Sequence, residues 1–265
     1  MIMNRTLLLT AAVGLYVLSG AAALAAEKPI STTLQSLLNR LTHSVEAERL
    51  KAITALGMLA FDDPEVTPAL ITLLEDQDVH MNLRARLAIL RISDPAAIPI
   101  LIKAMAHQNP VVRQVVAQAL GQINDPAVIP ALIRAMEDQN PVVRVAAAGA
   151  LGDINDPAVS LALLKAVGDQ DPTVRAAAVQ ALGQINYHIN DPAAAPALLK
   201  AMKDQDSKVR QAVAEALGKI EDPAVLPALR KALDDPDPAV RAAARTALGR
   251  LGELEMPLLK KRKSP

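Results

Sequence analysis

Apolar residues recur at helical spacing through most of the chain, and the pattern comes back about every 31 residues. In the unit that opens at Asp125, four apolar residues share one face of a helix: Val128, Leu132, Ile133 and Met136. A second helix, in the unit before it, carries another such face: Val112, Val116, Ala119, Leu120 and Ile123. Because one pair of short helices cannot bury both faces, neighbouring pairs must stack. The pattern therefore predicts an all-α stack of helical pairs.

An Asp-Pro dipeptide marks the start of most units. The aspartates are separated by intervals of 31, 31, 31, 35 and 31 residues: Asp63, Asp94, Asp125, Asp156, Asp191 and Asp222. A fixed interval in this range is typical of repeat architectures. An aspartate side chain accepts free N–H groups at a helix N-terminus, and proline is favoured in the first turn. Each Asp-Pro therefore predicts the start of a first helix.

A second landmark, 15 residues after each of these aspartates, predicts the cap of a second helix: Asp78, Asn109, Asn140, Asp171, Asp206 and Asp237. Five arginines follow in register: Arg113, Arg144, Arg175, Arg210 and Arg241. Asn82 stands at this place in the first Asp-Pro unit. An upstream unit, from Ser31 through Arg49 to Gly57, has the same pattern without Asp-Pro. We therefore predict about seven helical pairs between Ser31 and Gly252.

Two irregularities qualify this pattern. A second proline, five residues after the Asp-Pro aspartate, is predicted to bend the first helix or to mark its true start, and Leu161 replaces it in one unit. The interval before Asp191 is four residues longer and contains the segment Tyr187-His188-Ile189-Asn190. We interpret this insertion as the lengthening of a surface loop, with a binding loop as the alternative.

These residues resemble HEAT repeats of the short, phycobilisome-lyase-like type in the armadillo-like superfamily, the class that also inspired designed alphaRep scaffolds. The resemblance covers about Ser31 to Gly252. It rests on the repetition of Asp-Pro-x-Val-Arg, Ala-Leu-Gly and Asp-Pro. It implies a right-handed α–α superhelix whose second helices line the concave surface. It also implies a ladder of Asp–Arg pairs between adjacent repeats, formed by the five arginines given above.

The two ends of the chain are predicted to lie outside this solenoid, which we assign to residues 26–252. Residues 1–25 are interpreted as a secretion signal, because Arg5 precedes an apolar stretch and Ala23-Leu24-Ala25 matches a cleavage site. An uncleaved membrane anchor is the alternative. Residues 253–265 form a basic tail, interpreted as a solvated terminus. The expected location is therefore periplasmic or secreted, without membrane contact after cleavage.

Composition disfavours several classes of function. Lys plus Arg equals Asp plus Glu at 28 each, the aromatic residues are only Tyr16, Phe61 and Tyr187, and cysteine is missing. Nucleic-acid binding needs an excess of basic residues or aromatic rings for base stacking, and sugar binding also relies on aromatic rings. Thiolate chemistry needs cysteine. Deoxyhypusine hydroxylases, which are HEAT-repeat enzymes, hold iron with His-Glu pairs, and none of the four histidines here precedes glutamate. We therefore predict no catalytic residues, no metal, no cofactor and no small-molecule substrate.

The solvent side of the second helices is the candidate functional surface. It comprises the residues one, five and nine places after each repeat arginine and is rich in glutamine and alanine. The predicted partner-binding residues are Gln114, Gln118, Gln122, Gln180, Gln184, Gln211 and Glu215. Such a surface suits a protein segment, although an ordinary soluble helix face is the alternative. The sequence therefore predicts an exported scaffold or adaptor; a lyase-like or maturation subunit that presents a substrate protein to an enzyme is the second hypothesis.

Overall fold

The computed structural model describes residues 30–41, 46–59, 66–123, 125–154, 156–189, 194–220 and 222–252. Within these residues all regular structure is helical, and fourteen α-helices follow one another as seven pairs. This confirms the predicted all-α solenoid. The proposed signal at 1–25 and the basic tail at 253–265 lie outside the described residues. No helix in the described part is long and apolar enough to cross a bilayer.

The helices alternate between a first and a second member of each pair. The first helices are α1 (Ile30–Leu41), α3 (Thr67–Leu73), α5 (Ile98–Ala104), α7 (Ile129–Ala135), α9 (Pro157–Ala166), α11 (Ala194–Ala201) and α13 (Leu226–Lys231). The second helices are α2 (Glu46–Leu59), α4 (Val79–Ile89), α6 (Pro110–Gln122), α8 (Pro141–Gly152), α10 (Pro172–Ile189), α12 (Ser207–Leu217) and α14 (Pro238–Arg250).

The four Asp-Pro dipeptides that the structure describes, at Asp94, Asp125, Asp156 and Asp222, open the first helices in two different ways. Asp94 and Asp125 each accept the backbone N–H two residues further on at 2.8 Å and begin a short 3-10 turn. The α-helix then starts with the second proline in its first turn, as Pro99 does in α5. Where Leu161 replaces that proline, α9 runs as one α-helix from Pro157. The second proline therefore marks the true start of the α-helix, because its ring cannot fit inside a continuous one.

The prediction that the insertion lengthens a loop is wrong. Helix α10 continues to Ile189, so residues 187–189 are helical. Four residues are close to one helical turn of about 3.6 residues. The helix therefore makes roughly one more turn, to Ile189.

The second helices form the more tightly packed row of the solenoid. A Cβ atom added at Gly121 of α6 would lie only 2.8 Å from Cα of Ala150 in α8, and the arrangement recurs at later junctions: Gly152 with Ala181, Gly183 with Ala216, and Gly218 with Ala247. First helices pack less closely on one another. The second helices therefore form the closely packed row of the solenoid, and their place on a concave surface stays a prediction from the resemblance.

Candidate functional site

Four arginines at the predicted positions join the third to the seventh helical pairs to one another. The Nε and Nη2 atoms of Arg113 donate to the two carboxylate oxygens of Asp138 at 2.7 and 2.8 Å. Its Nη1 donates to the carbonyl oxygens of His107 and Gln108 at 2.6 and 2.8 Å. The same bidentate pairing recurs in Arg144–Asp169, Arg175–Asp204 and Arg210–Asp235. Each guanidinium therefore bonds at once to the turn within its own helical pair and to the aspartate of the following pair, and so holds the two pairs together.

The surroundings of three of these carboxylates, Asp138, Asp204 and Asp235, lower their pKa values and so favour the charged form. Burial raises the pKa of Asp138, but hydrogen bonds from Arg113 and from the Asn140 N–H outweigh it and bring the pKa below its usual value. Asp204 follows the same balance, and at Asp235 the hydrogen bond from Arg210 is the largest cause of the lowered pKa. The carboxylates are thus fully engaged by neighbouring groups. The repeated geometry makes them connectors between repeats.

One further pair was missed by the sequence analysis. Arg49 in α2 donates through Nη2 to both carboxylate oxygens of Asp76 at 3.0 Å, which extends the ladder to the first junction. The sequence does contain the spacing that identifies this arginine. Arg49 lies eight residues before Gly57, as Arg113 lies eight residues before Gly121. Arg241, predicted as a ladder member, donates through Nη1 to the carbonyl oxygens of Asp235 and Pro236 and ends the row.

The junction between α4 and α6 departs from this pattern at three positions. Asn82 replaces the arginine, and its side-chain amide donates to the carbonyl of Leu74. His107 replaces the aspartate; its Nδ1 accepts the Asn109 N–H at 3.2 Å, and its Nε2 lies 3.7 Å from Glu75. Leu90 replaces the glycine of the close crossing. Accordingly, α4 and α6 pack least closely of the second helices in the described residues.

The candidate partner-binding residues, one, five and nine places after the repeat arginines, lie on the second helices as predicted. At the C-terminal end, residues from α12 and α14 line one open groove of about 440 Å³; those at the predicted offsets are Gln211, Glu215, Lys219, Ala242, Thr246 and Arg250. Gln211 donates to Glu215 at 2.9 Å within this groove. Residues at the same offsets on two adjacent second helices therefore lie on one shared surface.

The central part of the row contains the predicted glutamines. Gln122, Gln180 and Gln184 are exposed, whereas Gln114 and Gln118 are half-buried. The Gln184 amide oxygen lies close to Gly152, 2.8 Å from the position that a Cβ there would occupy. Gln184 therefore reaches from α10 to α8 and covers part of their crossing.

Gly149 occupies the middle of this surface in α8. It stands at the same offset as Gln118 in α6 and Gln180 in α10 and is exposed. A Cβ added at Gly149 would meet no heavy atom within 4 Å, in contrast to one at Gly121. Packing within the chain therefore does not require a glycine at this position.

The same offsets reveal surface residues that the sequence analysis missed. Counted from Asn82, they are Leu83, Leu87 and Arg91, and counted from Arg49 they include Met58. Leu83, Leu87 and Met58 are 51%, 54% and 54% exposed. They escaped notice because the register was counted from the five repeat arginines, and the helix with the two leucines has asparagine at that place.

The described residues bring together no group of three or more His, Cys, Asp or Glu side chains that could hold a metal ion. The second-helix surface offers amide and hydroxyl hydrogen bonds, an aliphatic end and scattered charges. This arrangement is suited to non-covalent contact with another molecule.

A family model for HEAT repeats matches residues 34–120, 99–183 and 160–249 of this chain. A solved complex of CpcE and CpcF of phycocyanin lyase from Nostoc sp. PCC7120 is 28% identical, with a TM-score of 0.50, and the match covers 58% of this chain and 99% of that one. Human deoxyhypusine hydroxylase is 22% identical, with a TM-score of 0.37 and coverage of 83% and 96%. An engineered protein is also 22% identical, with a TM-score of 0.48 and coverage of 83% and 68%. No curated protein sequence matches the chain.

Proposed function

Because this chain belongs to the HEAT-repeat family, we propose that it is an exported scaffold or adaptor that binds a protein partner on its row of second helices. The observation that carries the proposal is the open strip at the centre of that row. Here exposed Gly149 stands between the positions of Gln118 and Gln180 on adjacent helices.

Gly149 supports this proposal because glycine makes the helix less stable than alanine would at the same position. Glycine inside a helix is less favourable than alanine by about 1 kcal/mol, and Gly149 has open space where a Cβ would lie. Glycine also allows another backbone to approach a helix closely. The proposal therefore places a segment of the partner against Gly149.

The neighbouring glutamines fit the same type of partner. A glutamine amide both donates and accepts hydrogen bonds, so Gln118 and Gln180 are able to pair with the backbone groups of an extended segment or with polar side chains of a helix. Such contacts do not require aromatic rings or a high net charge. The chain has three aromatic residues and equal numbers of acidic and basic ones, which agrees with a protein partner better than with nucleic acid.

The second candidate is a lyase-like or maturation subunit that presents a substrate protein to an enzyme. The similarity to the CpcE–CpcF complex of phycocyanin lyase favours it, because that structure is an assembly of two chains. The compartment separates the two candidates. We expect the N-terminus of the native protein at Ala26 or one residue to either side; a cytoplasmic protein that begins at Met1 or Met3 would favour the lyase-like role.

We further propose that binding involves no catalysis, metal or cofactor. The absence of cysteine and of His-Glu pairs supports this part of the proposal. Elemental analysis of the native protein should find no stoichiometric metal. One or two irons per chain, as a di-iron site would give, would overturn it.

The partner surface is tested by changing Gln118, Gln122, Gln180 and Gln184 to glutamate in one variant. Each exposed change should alter the free energy of unfolding by only about 0.5 kcal/mol. Binding should be lost, because a contact amide becomes a carboxylate that lacks a partner and must be desolvated. Thermal melting and capture of the native partner are the two measurements.

The control variant carries Arg134→Gln and Lys165→Gln on the first helices α7 and α9. Both side chains are exposed, and each replacement also lowers the charge by one. The control should melt and capture its partner as the unaltered protein does. If the control loses capture while the glutamate variant retains it, the binding surface lies on the first helices and the proposal fails.

A further inference from the structure

We infer that the N-terminal end of the second-helix row is a docking site for an acidic amphipathic helix that carries aliphatic side chains at helical spacing. The site consists of Val79, Leu83 and Leu87 on α4 and Met58 on α2, here called the aliphatic stripe. The inference rests on the proposed function, because the stripe continues the same surface, and it adds the chemistry of the bound segment.

The stripe has the geometry of a helix-binding surface. Val79, Leu83 and Leu87 follow one another at four-residue spacing, so they form a line along α4, and Val79 is 75% exposed. Helices α2 and α4 touch where Gly57 meets Ala88; a Cβ on that glycine would lie 3.1 Å from the alanine Cβ. Met58 and Leu87 directly adjoin these two contact residues in sequence. The stripe therefore spans two helices.

Within the described part of the chain, packing gives no reason for these exposed aliphatic residues. At the Leu87 position, the later second helices carry Gln118, Gly149, Gln180 and Glu215. The solenoid thus forms with polar or small residues at this offset. Clusters of exposed aliphatic side chains are typical of contact sites, and amphipathic helices bind such surfaces through side chains at i, i+4 and i+7 or i+8.

The charges around the stripe favour an acidic partner. Helix α4 contains no aspartate or glutamate. Arg84 and Arg91 are exposed on or just beyond α4, whereas Lys51, exposed on α2, donates to Glu48 of the same helix at 2.9 Å. Arg84 also donates to the Thr54 hydroxyl of α2 at 2.9 Å, which holds its guanidinium beside the stripe. Carboxylates that flank the aliphatic face of a bound helix would meet these cations.

A protein helix fits this place better than a lipid surface. The stripe is a narrow line of side chains on two adjacent second helices, whereas a bilayer is broad and nearly flat at this scale. A helix about 10 Å wide matches a strip formed by two adjacent helices. Binding of anionic vesicles is therefore an alternative outcome that the experiment must distinguish.

The test uses the full chain and a fluorescent synthetic helix of about 18 residues, or five turns, with leucines on one face and glutamates on the other. Fluorescence anisotropy should show saturable binding. A peptide with lysine in place of every glutamate should bind at least about tenfold more weakly. The protein variant Leu83→Gln with Leu87→Gln should weaken binding of the acidic peptide by at least about tenfold, a difference in affinity that this assay measures directly.

Leu161→Gln is the matched control, because Leu161 is an exposed leucine, 74% accessible, on the first helix α9. It should bind the acidic peptide as the unaltered protein does, and all variants should melt alike. The inference is overturned if the double variant binds equally well, if the basic peptide binds as tightly, or if only anionic vesicles bind through the stripe.

Failure here is distinguishable from failure of the proposed function. A protein that captures its native partner through the central glutamines but does not bind the acidic peptide contradicts the docking inference alone. A protein whose native capture survives the glutamine changes contradicts the proposed function, whatever the peptide result.

Discussion

Arg144 shows what a single side chain contributes to the stack. It is the most buried of the repeat arginines, at 5% exposure. Its Nε and Nη2 hold the Asp169 carboxylate at 2.9 and 2.8 Å, and its Nη1 donates to the carbonyls of Asp138 and Gln139. Arginine suits this role because its planar guanidinium presents several fixed donors, which a lysine cannot reproduce.

The ladder predicts a loss of stability in acid. The folded-state pKa values of Asp138, Asp204 and Asp235 are lowered, so the unfolded chain binds protons first as the pH falls. Their stabilisation is complete above the ordinary aspartate range near about 4 and decreases below it. The free energy of unfolding, measured by denaturant titration, should therefore be smaller at pH 3 than at pH 6.

Asp138→Asn should lower the free energy of unfolding at neutral pH by about 2 kcal/mol, since it removes a charged, bidentate hydrogen-bond partner. It should also reduce the loss of stability in acid. Asp153→Asn, at an exposed position, should change neither quantity much. An acid dependence that is identical in the Asp138 variant and the unaltered protein would contradict the role given to this carboxylate.

Two glycines should respond in opposite directions to the same change. Gly149→Ala should raise the free energy of unfolding by about 1 kcal/mol, because alanine favours the helix and its Cβ meets open space. Gly121→Ala should lower it by about 1 to 3 kcal/mol, because the new Cβ would collide with Ala150 of α8. Denaturant titration of both variants checks the pair. Destabilisation by Gly149→Ala would mean that the fold itself requires this glycine.

At the scale of helices, the sequence was sufficient to predict those features that depend on residues close to one another in the chain. The Asp-Pro caps, the paired helices and the spacing of Arg113 and its equivalents all follow from local chemistry that repeats. The extra turn of α10 was predicted wrongly, because four inserted residues are compatible with either a loop or one more helical turn. Leu83 and Leu87 were missed because counting began at the five repeat arginines; the same offsets counted from Asn82 place both leucines on the solvent side of α4.

The α4–α6 junction lacks an Arg–Asp pair, so the stabilisation from the ladder can be tested by introducing one there. Asn82→Arg alone would introduce a cation opposite His107, and His107→Asp alone would introduce a carboxylate opposite Asn82. Together they should form the pair found at the other junctions. A double-mutant cycle by denaturant titration should therefore give a favourable coupling of about 1 to 2 kcal/mol. A coupling of zero would show that α4 and α6 lie too far apart for such a pair.

The molecule as a whole is a linear array in which each repeat contacts mainly its neighbours. Stability in such an array is the sum of repeat and junction contributions. Leu182, fully buried in α10, provides a probe near its middle. Leu182→Asp should cost about 3 to 5 kcal/mol, because it buries a carboxylate without a counter-charge.

Hydrogen exchange should locate that damage. Protection should fall most in α10 and its adjoining helices and least in α2 and α14, whereas Gln180→Asp at an exposed position of the same helix should leave the profile nearly unchanged. Equal loss of protection in the first and last repeats would show that the array unfolds as a single unit.

The central claim is that the row of second helices is the surface that holds a protein partner. The most direct measurement is site-specific photo-crosslinking in the native compartment, with a photoreactive amino acid at Gly149 and, as the matched position, at exposed Arg134 on α7. We predict that irradiation yields an adduct with one defined partner from position 149 and none from position 134. An adduct from position 134 with none from position 149 would place the partner on the first helices and contradict the account.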